Sequence, residues 1–344
     1  MGKLVLFKTQ DLEDLLKIRA NESKFGEHIQ LLSNSTDIYE SLVNLDVAYV
    51  IIGIPEDIGI FANYGNRGAS SAWKATLKVL LNIQSNTFTN PRKVLILGHL
   101  DFSKEMQKID SYLQSDKKHI EKARKLTEKI DKCVTHLVYQ IVRSGKKPII
   151  IGGGHNNAYG NIKGASLAFK KPINAINFDA HSDFRREEGR HSGNGFRYAY
   201  SEGFLSNYFM FGLHENYTSD RIFKTLDRFK ALKYNTYEEL IIRKDKKFKD
   251  ELERATKHVA NQPFGVEIDC DAINFIPSSA MSPSGFSIKK ARSFVNYFGK
   301  QKNAVYLHIC EAAPTHETES IVGKLITHLI IDFMRANSSN YESK

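Results

Sequence analysis

Residues 173–183, INAINFDAHSD, join a run of strand-forming apolar residues to a row of potential metal ligands. The run Ile173–Phe178 has the length and composition of a buried strand in a parallel sheet. In an extended chain, alternate side chains point to the same side, so Asp179, His181 and Asp183 would project together from the end of this strand. We expect this stretch to place a functional site directly after a buried strand.

Further apolar runs lie on both sides of this stretch, and helical segments separate them. The clearest helix is predicted over residues 119–142, where apolar residues recur at helical spacing. Strands that alternate with helices indicate parallel βαβ units, whose ligands bind at the carboxyl ends of the strands. The other predicted strands are 47–54, 94–97, 148–151, 208–211, 264–268 and 304–309, with a weaker one at 232–234.

Two of these other strands are also followed by potential ligands. His155 lies in the turn 152–157, GGGHNN, and Asp269 and Asp271 follow the run 264–268. A single such cluster could be a turn, a cap or a solvated loop, but three clusters that each follow a buried strand are hard to explain in that way. Carboxylates packed this closely would repel each other unless cations neutralise them.

The six candidate ligands are four carboxylates and two imidazoles, without a thiolate. This set suits Mn²⁺ or another divalent first-row ion better than a structural zinc site. Six ligands suffice for two ions if some carboxylates bridge them.

Composition limits the class of protein. The chain has 344 residues, of which 41% are hydrophobic, and it lacks a run of the roughly 18 apolar residues that span a membrane. Its net charge of +10 is spread over segments where acids interleave at helical spacing, which favours solvated helices over a nucleic-acid surface. Three scattered cysteines and an N-terminus without a secretory signal indicate a cytoplasmic protein. We predict one domain over 1–344, with 1–45 as an N-terminal extension and about 46–335 as the catalytic core.

Together these motifs resemble the arginase (ureohydrolase) superfamily. GGGHNN resembles its GGDHS motif, DAHSD matches DAHxD, EIDCDAI at 267–273 resembles SxDxDxxDP, and NRGAS at 66–70 resembles its N-x-GR-x-GA segment. The resemblance implies a three-layer α/β fold with a mainly parallel eight-stranded sheet and helices on both faces. It also implies two manganese ions, one on His155 and Asp183 and the other on His181 and Asp271, bridged by Asp179 and Asp269.

The chain departs from the family motifs next to the predicted ligands. Gly154 stands where the family usually has Asp, Asn156 where it has Ser, Glu267 where it has the Ser of SxDxD, and Asn274 where it has the later Asp. No predicted ligand is lost, but the surroundings of the ligands change.

The segment after DAHSD resembles the formimidoylglutamase branch of the family rather than arginase. It reads DFR at 183–185 and SGNGFR at 192–197, with Phe196 in the place of an arginase histidine. Arginine side chains bind carboxylates well, so Arg185 and Arg197, with Asn194, are the predicted substrate-binding residues. Arg186 and Arg190 could equally belong to a solvated basic loop.

The resemblance also implies the chemistry. Glu311, after the run 304–309, would orient the amidine group, Asp183 would pass a proton to the leaving amine, and His191 is an alternative proton carrier. The expected reaction is hydrolysis of N-formimidoyl-L-glutamate to glutamate and formamide in histidine catabolism. The alternatives are an arginase, agmatinase or other guanidine hydrolase that releases urea, and a catalytically weak metal-binding regulatory relative. The expected partner is a small amidine or guanidine, and a homo-oligomer remains open.

Overall fold

A single sheet of nine strands forms the centre of the molecule. The computed structural model describes residues 3–32 and 37–338. All eight strands predicted from the sequence are present, with ends that differ from the predicted ones by at most three residues. The strands are β1 (Leu4–Leu6), β2 (Tyr49–Gly53), β3 (Val94–Leu100), β4 (Lys147–Ile151), β5 (Ile173–Phe178), β6 (Leu205–Leu213), β7 (Leu232–Thr236), β8 (Phe264–Asp269) and β9 (Ala304–Cys310).

The strand order in the sheet is β1-β3-β2-β4-β9-β8-β5-β6-β7. Strands β2 to β9 run parallel, as the alternation of strands and helices predicted. The order brings β4, β9, β8 and β5 side by side in the middle of the sheet. The carboxyl ends of β4, β5 and β8 and the segments that follow them carry all of the candidate metal ligands, and Glu311 follows β9.

Strand β1 adds a ninth, antiparallel strand at the edge of the sheet, where Leu4 pairs with Leu100 and Leu6 with Gly98. This strand could not be predicted from the sequence, because three residues are too few to show the alternation of a strand. The segment 1–45, expected as an extension, therefore contributes a strand to the sheet.

Helices cover both faces of the sheet and complete the three layers. One apolar core cluster contains Trp73, Phe294 and Ile326, and the other contains Ile130, Ile162 and Phe196. The helices are α1 (Thr9–Leu15), α2 (Ile38–Asn44), α3 (Ile58–Ala62), α4 (Ala72–Leu80), α5 (Ser103–Asp110), α6 (Lys117–Arg143), α7 (Asn157–Phe169), α8 (Gly195–Ser201), α9 (Asp220–Arg228), α10 (Phe248–Val259), α11 (Ile288–Gly299) and α12 (Glu319–Ser338).

Helix α6 shows how the sequence determines this packing. Its apolar side chains recur every three or four residues, and one face, including Ile120, Ile130 and Leu137, is buried. The Asp116 side chain accepts a hydrogen bond from the Lys118 amide and so caps the first turn. The buried face packs on α7, which follows the ligand-bearing turn after β4. In the described part of the chain, no helix combines the length and apolarity of a membrane span.

Candidate metal centre

The six predicted ligands come together at the carboxyl edge of the sheet. His155 lies in the turn between β4 and α7, where Gly152 and Gly153 have φ angles of 83° and 79° that favour glycine. Asp179, His181 and Asp183 follow β5, Asp269 ends β8, and Asp271 follows two residues later. Because these strands are neighbours and run parallel, their ends deliver the side chains to one place.

Four of the six side chains surround one point. His155 Nδ1 lies 2.9 Å from Asp183 Oδ2, 3.2 Å from Asp179 Oδ2 and 3.2 Å from Asp269 Oδ2. All four residues are buried, and their potential ligand atoms lie within 4.8 Å of one another. One imidazole nitrogen and three carboxylates are thus arranged to hold a single divalent ion.

The other two side chains form an adjoining group. His181 Nδ1 lies 3.6 Å from Asp179 Oδ1 and 3.8 Å from Asp271 Oδ2. Asp179 faces His155 with its Oδ2 atom and His181 with its Oδ1 atom, so it belongs to both groups. This is the placement that a bridging carboxylate requires.

The buried carboxylates of the cluster lie close together, and bound cations would neutralise their negative charge. Burial raises the pKa of Asp269, and the nearby Asp271 and Asp179 raise it further. Burial and Asp179 likewise raise the pKa of Asp183. Burial opposes the charged form of His181, but its hydrogen bond with Asp179 and the negative charges of Asp179, Asp271 and Asp183 together outweigh burial and raise the pKa to about 10. The cluster therefore retains protons that divalent cations would displace, and its oxygen and nitrogen donors fit manganese.

Glu311 lies beside the cluster without joining it. It follows β9 with a φ angle of 62° and is buried. Its Oε1 accepts a hydrogen bond of 2.6 Å from the His155 amide, while its Oε2 has no hydrogen-bond partner among the described residues. Burial and Asp271 raise its pKa to about 8. One oxygen of Glu311 thus supports the ligand-bearing turn, and the other is buried beside the cluster.

A second buried glutamate, which was not predicted from the sequence, anchors the turn that carries His155. Glu56 follows β2, and its Oε1 accepts hydrogen bonds from the side chains of Asn156, at 3.1 Å, and Asn157, at 2.8 Å, and from the Gly154 amide, at 3.3 Å. The Asn156 side chain lies against Gly154, where a Cβ atom would be only 2.5 Å from Asn156 Oδ1. Glu56 thus supplies a carboxylate to a turn in which Gly154 replaces the family's Asp.

A third buried carboxylate lies behind His155. Glu267 Oε2 is 3.6 Å from His155 Nε2, on the side of the ring that faces away from the ligand cluster. Glu267 also accepts a hydrogen bond of 2.7 Å from the Tyr306 hydroxyl and contacts His308 Nδ1 at 2.5 Å. In the sequence, Glu267 is indicated only by being an acidic residue within a predicted buried strand. Glu267 is thus the carboxylate next to the His155 ring nitrogen that faces away from the cluster.

The cluster opens into a cavity of about 450 Å³. His181, Asp183, Asp269, Asp271 and Glu311 line it, and Arg185 lies at its side. The Arg185 side chain is 50% exposed and donates a hydrogen bond of 2.7 Å to Asn63 Oδ1. Of the three predicted substrate-binding residues, Arg185 is the one that the structure brings to this cavity.

The structure does not bring Arg197 or Asn194 there. Arg197 lies over the Phe184 ring, 5.2 Å from its centroid, and its Nε is 3.3 Å from Glu187 Oε1. Asn194 is buried, and its side chain donates hydrogen bonds to the carbonyls of Arg186, at 3.1 Å, and Gly189, at 2.9 Å. Its Oδ1 accepts a bond of 3.1 Å from the His191 amide. Asn194 therefore shapes the loop instead of facing the cavity.

Arg190 and His191 also have structural surroundings. Arg190 is buried and pairs with Asp131 of α6 through Nε–Oδ2 and Nη2–Oδ1 distances of 2.8 and 3.3 Å. Burial, followed by nearby arginines such as Arg185, lowers the pKa of His191 to about 2. His191 does not line the cavity, so its position does not support a role as proton carrier.

Comparison with known proteins agrees with this architecture. The model of the family described as "Arginase family" matches residues 47–335. The curated relatives include the formimidoylglutamase of Streptococcus pyogenes serotype M12, which is 22% identical over 291 residues, covering 82% of each protein. Among solved structures, Trypanosoma cruzi formiminoglutamase with Mn²⁺ has a TM-score of 0.70 at 22% identity and covers 87% of this chain and 97% of its own. Bacillus subtilis formimidoylglutamase has a TM-score of 0.72 at 16% identity and covers 96% and 98%. The structural neighbours establish the fold.

Proposed function

The chain belongs to the arginase family, and we propose that it hydrolyses N-formimidoyl-L-glutamate to L-glutamate and formamide with two manganese ions. One water molecule is consumed, a C–O bond forms at the formimidoyl carbon, and the bond from that carbon to the glutamate nitrogen breaks. The reaction would serve histidine catabolism in the cytoplasm. The curated relatives named formimidoylglutamase support this choice of substrate within the family.

The observation that carries the proposal is the pair of adjoining ligand groups that share Asp179. His155, Asp183 and Asp269 would hold one ion, while His181 and Asp271 would hold the other. We propose that Asp269 bridges the ions together with Asp179. When bound, two divalent cations would lower the pKa of a shared water molecule so that it attacks at neutral pH.

The residues around the cluster would position the substrate. Glu311 Oε2, which has no partner among the described residues, would accept a hydrogen bond from the cationic amidine and hold its carbon near the ligand groups. Asp183 lines the cavity and contacts His155 in the cluster, and it would transfer the proton that the departing amine needs. Arg185 would bind a substrate carboxylate at the side of the cavity.

The substrate is tested by assaying the manganese-loaded protein on formimidoylglutamate, arginine and agmatine. We expect formamide release from the first and little urea from the others. Preferred release of urea would show a guanidine hydrolase. Two bound ions without turnover on any of the three would show a catalytically weak relative.

Matched arginine variants test the binding assignment. Arg185→Ala should raise the KM for formimidoylglutamate roughly tenfold or more, as expected for the loss of a charge-assisted hydrogen bond, but change agmatine hydrolysis little. Arg197→Ala removes the same charge from helix α8, where the guanidinium already contacts Glu187 and Phe184. A larger KM effect from Arg197→Ala would restore the sequence-based assignment of that residue.

A further inference from the structure

A second, strongly basic cavity lies beside the metal-ligand cavity. Its volume is about 860 Å³, and its walls come from the loop after β5 and from helices α8 and α9. Two carboxylates, Glu188 and Asp220, face six cations. The cations are Arg185, Arg186, Arg197, Arg221, Lys224 and Arg228.

Half of these cations have an acidic partner. Arg185 lies 3.3 Å from Glu188, Arg197 lies 3.3 Å from Glu187, and Lys224 lies 2.5 Å from Asp220. Arg186, Arg221 and Arg228 form no ion pair with any acid in residues 3–32 and 37–338. These three exposed arginines line the same concave surface, where like charges attract anions more strongly than on a flat surface.

The basic cavity adjoins the metal-ligand cavity. Arg185, Ser219 and Ile222 line both cavities. Phe184 and Phe229 give the basic cavity apolar walls between its cations. A ligand with a short aliphatic chain and a negatively charged end would contact both the apolar walls and the cations.

The metal-ligand cavity has too few cations to bind a substrate with two carboxylates by itself. Among the described residues that line it, Arg185 is the only lysine or arginine. A substrate with two carboxylates needs further donors, because an unpaired carboxylate pays a desolvation cost. Unpaired guanidinium groups line the adjoining basic cavity.

We propose that the basic cavity binds small dicarboxylate anions, with Arg186, Arg221 and Arg228 as the binding groups, and passes acidic substrates to the ligand cluster through Arg185. Arginine forks match carboxylate geometry, which favours carboxylates over anions of other shapes. Only the identity of the substrate rests on the proposed function, because the binding of a dicarboxylate does not require turnover.

The direct test is calorimetric titration of the manganese-loaded protein with glutarate at low ionic strength. Arg221→Ala should weaken glutarate binding about tenfold. The control Arg19→Ala removes an equal charge from an arginine whose side chain is 71% exposed and which lies outside both cavities, and should leave glutarate binding unchanged. Arg221→Lys should restore part of the affinity because it restores the charge.

Three results would overturn the inference. Equal glutarate affinity in wild type and Arg221→Ala would place the anion elsewhere, including on the manganese ions. Equal weakening by Arg19→Ala would show a general charge effect. Binding of butyrate or inorganic phosphate as tight as that of glutarate would exclude a dicarboxylate site.

Kinetics separate this inference from the proposed function. Arg221→Ala should raise the KM for formimidoylglutamate while leaving kcat and the hydrolysis of agmatine unchanged. A wild-type protein that does not hydrolyse formimidoylglutamate would contradict the proposed function alone, since the glutarate titration would still decide the role of the basic cavity.

Discussion

Glu311→Gln should stabilise the metal-free protein while slowing catalysis. Glutamine keeps the oxygen that accepts the His155 amide hydrogen bond, so the ligand-bearing turn should remain in place. Glu311 lies outside the six candidate ligands, and the manganese content should therefore not change. Turnover should fall, because a neutral amide pairs less strongly with a cationic amidine than a carboxylate does.

The gain in stability follows from the position of Glu311 beside Asp271. Burial and Asp271 raise its pKa from 4.5 to about 8. Between these two values the folded state keeps a proton that the unfolded state has lost, so this residue makes the wild type less stable as pH rises. At pH 7 the cost is on the order of 3 kcal/mol, which glutamine does not incur.

Urea unfolding of the EDTA-dialysed proteins at pH 5 and pH 7 measures this effect. The advantage of Glu311→Gln should be small at pH 5 and several-fold larger at pH 7. Glu317→Gln is the matched control, because Glu317 is exposed and outside the cavity, and it should show no such increase. An advantage that is equal at both pH values, or a less stable Glu311→Gln protein, would refute the electrostatic argument.

Three further predictions concern the ligand cluster and the core. Asp179→Asn should reduce bound manganese to one ion or none, measured by metal analysis of dialysed protein, and two ions with a full rate would contradict the bridging role. Manganese uptake at pH 7 should release protons, because burial and neighbouring carboxylates raise the pKa of Asp269; titration heats that do not depend on the ionisation enthalpy of the buffer would contradict this. Lys147→Met should stabilise the protein below pH 8 by up to about 3 kcal/mol, because burial lowers the pKa of Lys147 from 10.5 to about 8. The difference should shrink as pH rises toward 10.5, and urea unfolding that shows a constant difference would contradict it.

The parts of the site that follow strands were predictable, and the parts that depend on side-chain direction were not. Asp179, Asp269 and Glu311 could be placed together because the carboxyl ends of parallel strands meet at one edge of the sheet. Arg197 occupies the expected position in its motif, but its side chain turns toward Glu187 and Phe184. A motif fixes where a residue stands in the chain and leaves open which way its side chain points.

Contacts between residues that are far apart in the chain could not be predicted from the sequence either. Glu56 is about 100 residues from Asn156 and Asn157, and nothing near it in the chain indicates that it anchors their turn. Strand β1 was missed for a related reason, because a strand of three residues is recognised only by its partner β3.

The contact between Asn156 and Gly154 has a consequence for how this motif could evolve. A Cβ atom at residue 59 would lie 2.0 Å from Asn156 Oδ1, and one at residue 154 would lie 2.5 Å from it. With the Asn156 side chain in this position, a Cβ atom at either residue would require that side chain to move, and at residue 154 the Ile60 side chain would have to move as well. The two departures from GGDHS, Gly154 and Asn156, are therefore coupled by packing. A motif comparison that scores each position separately would count two independent differences, although packing couples the two positions.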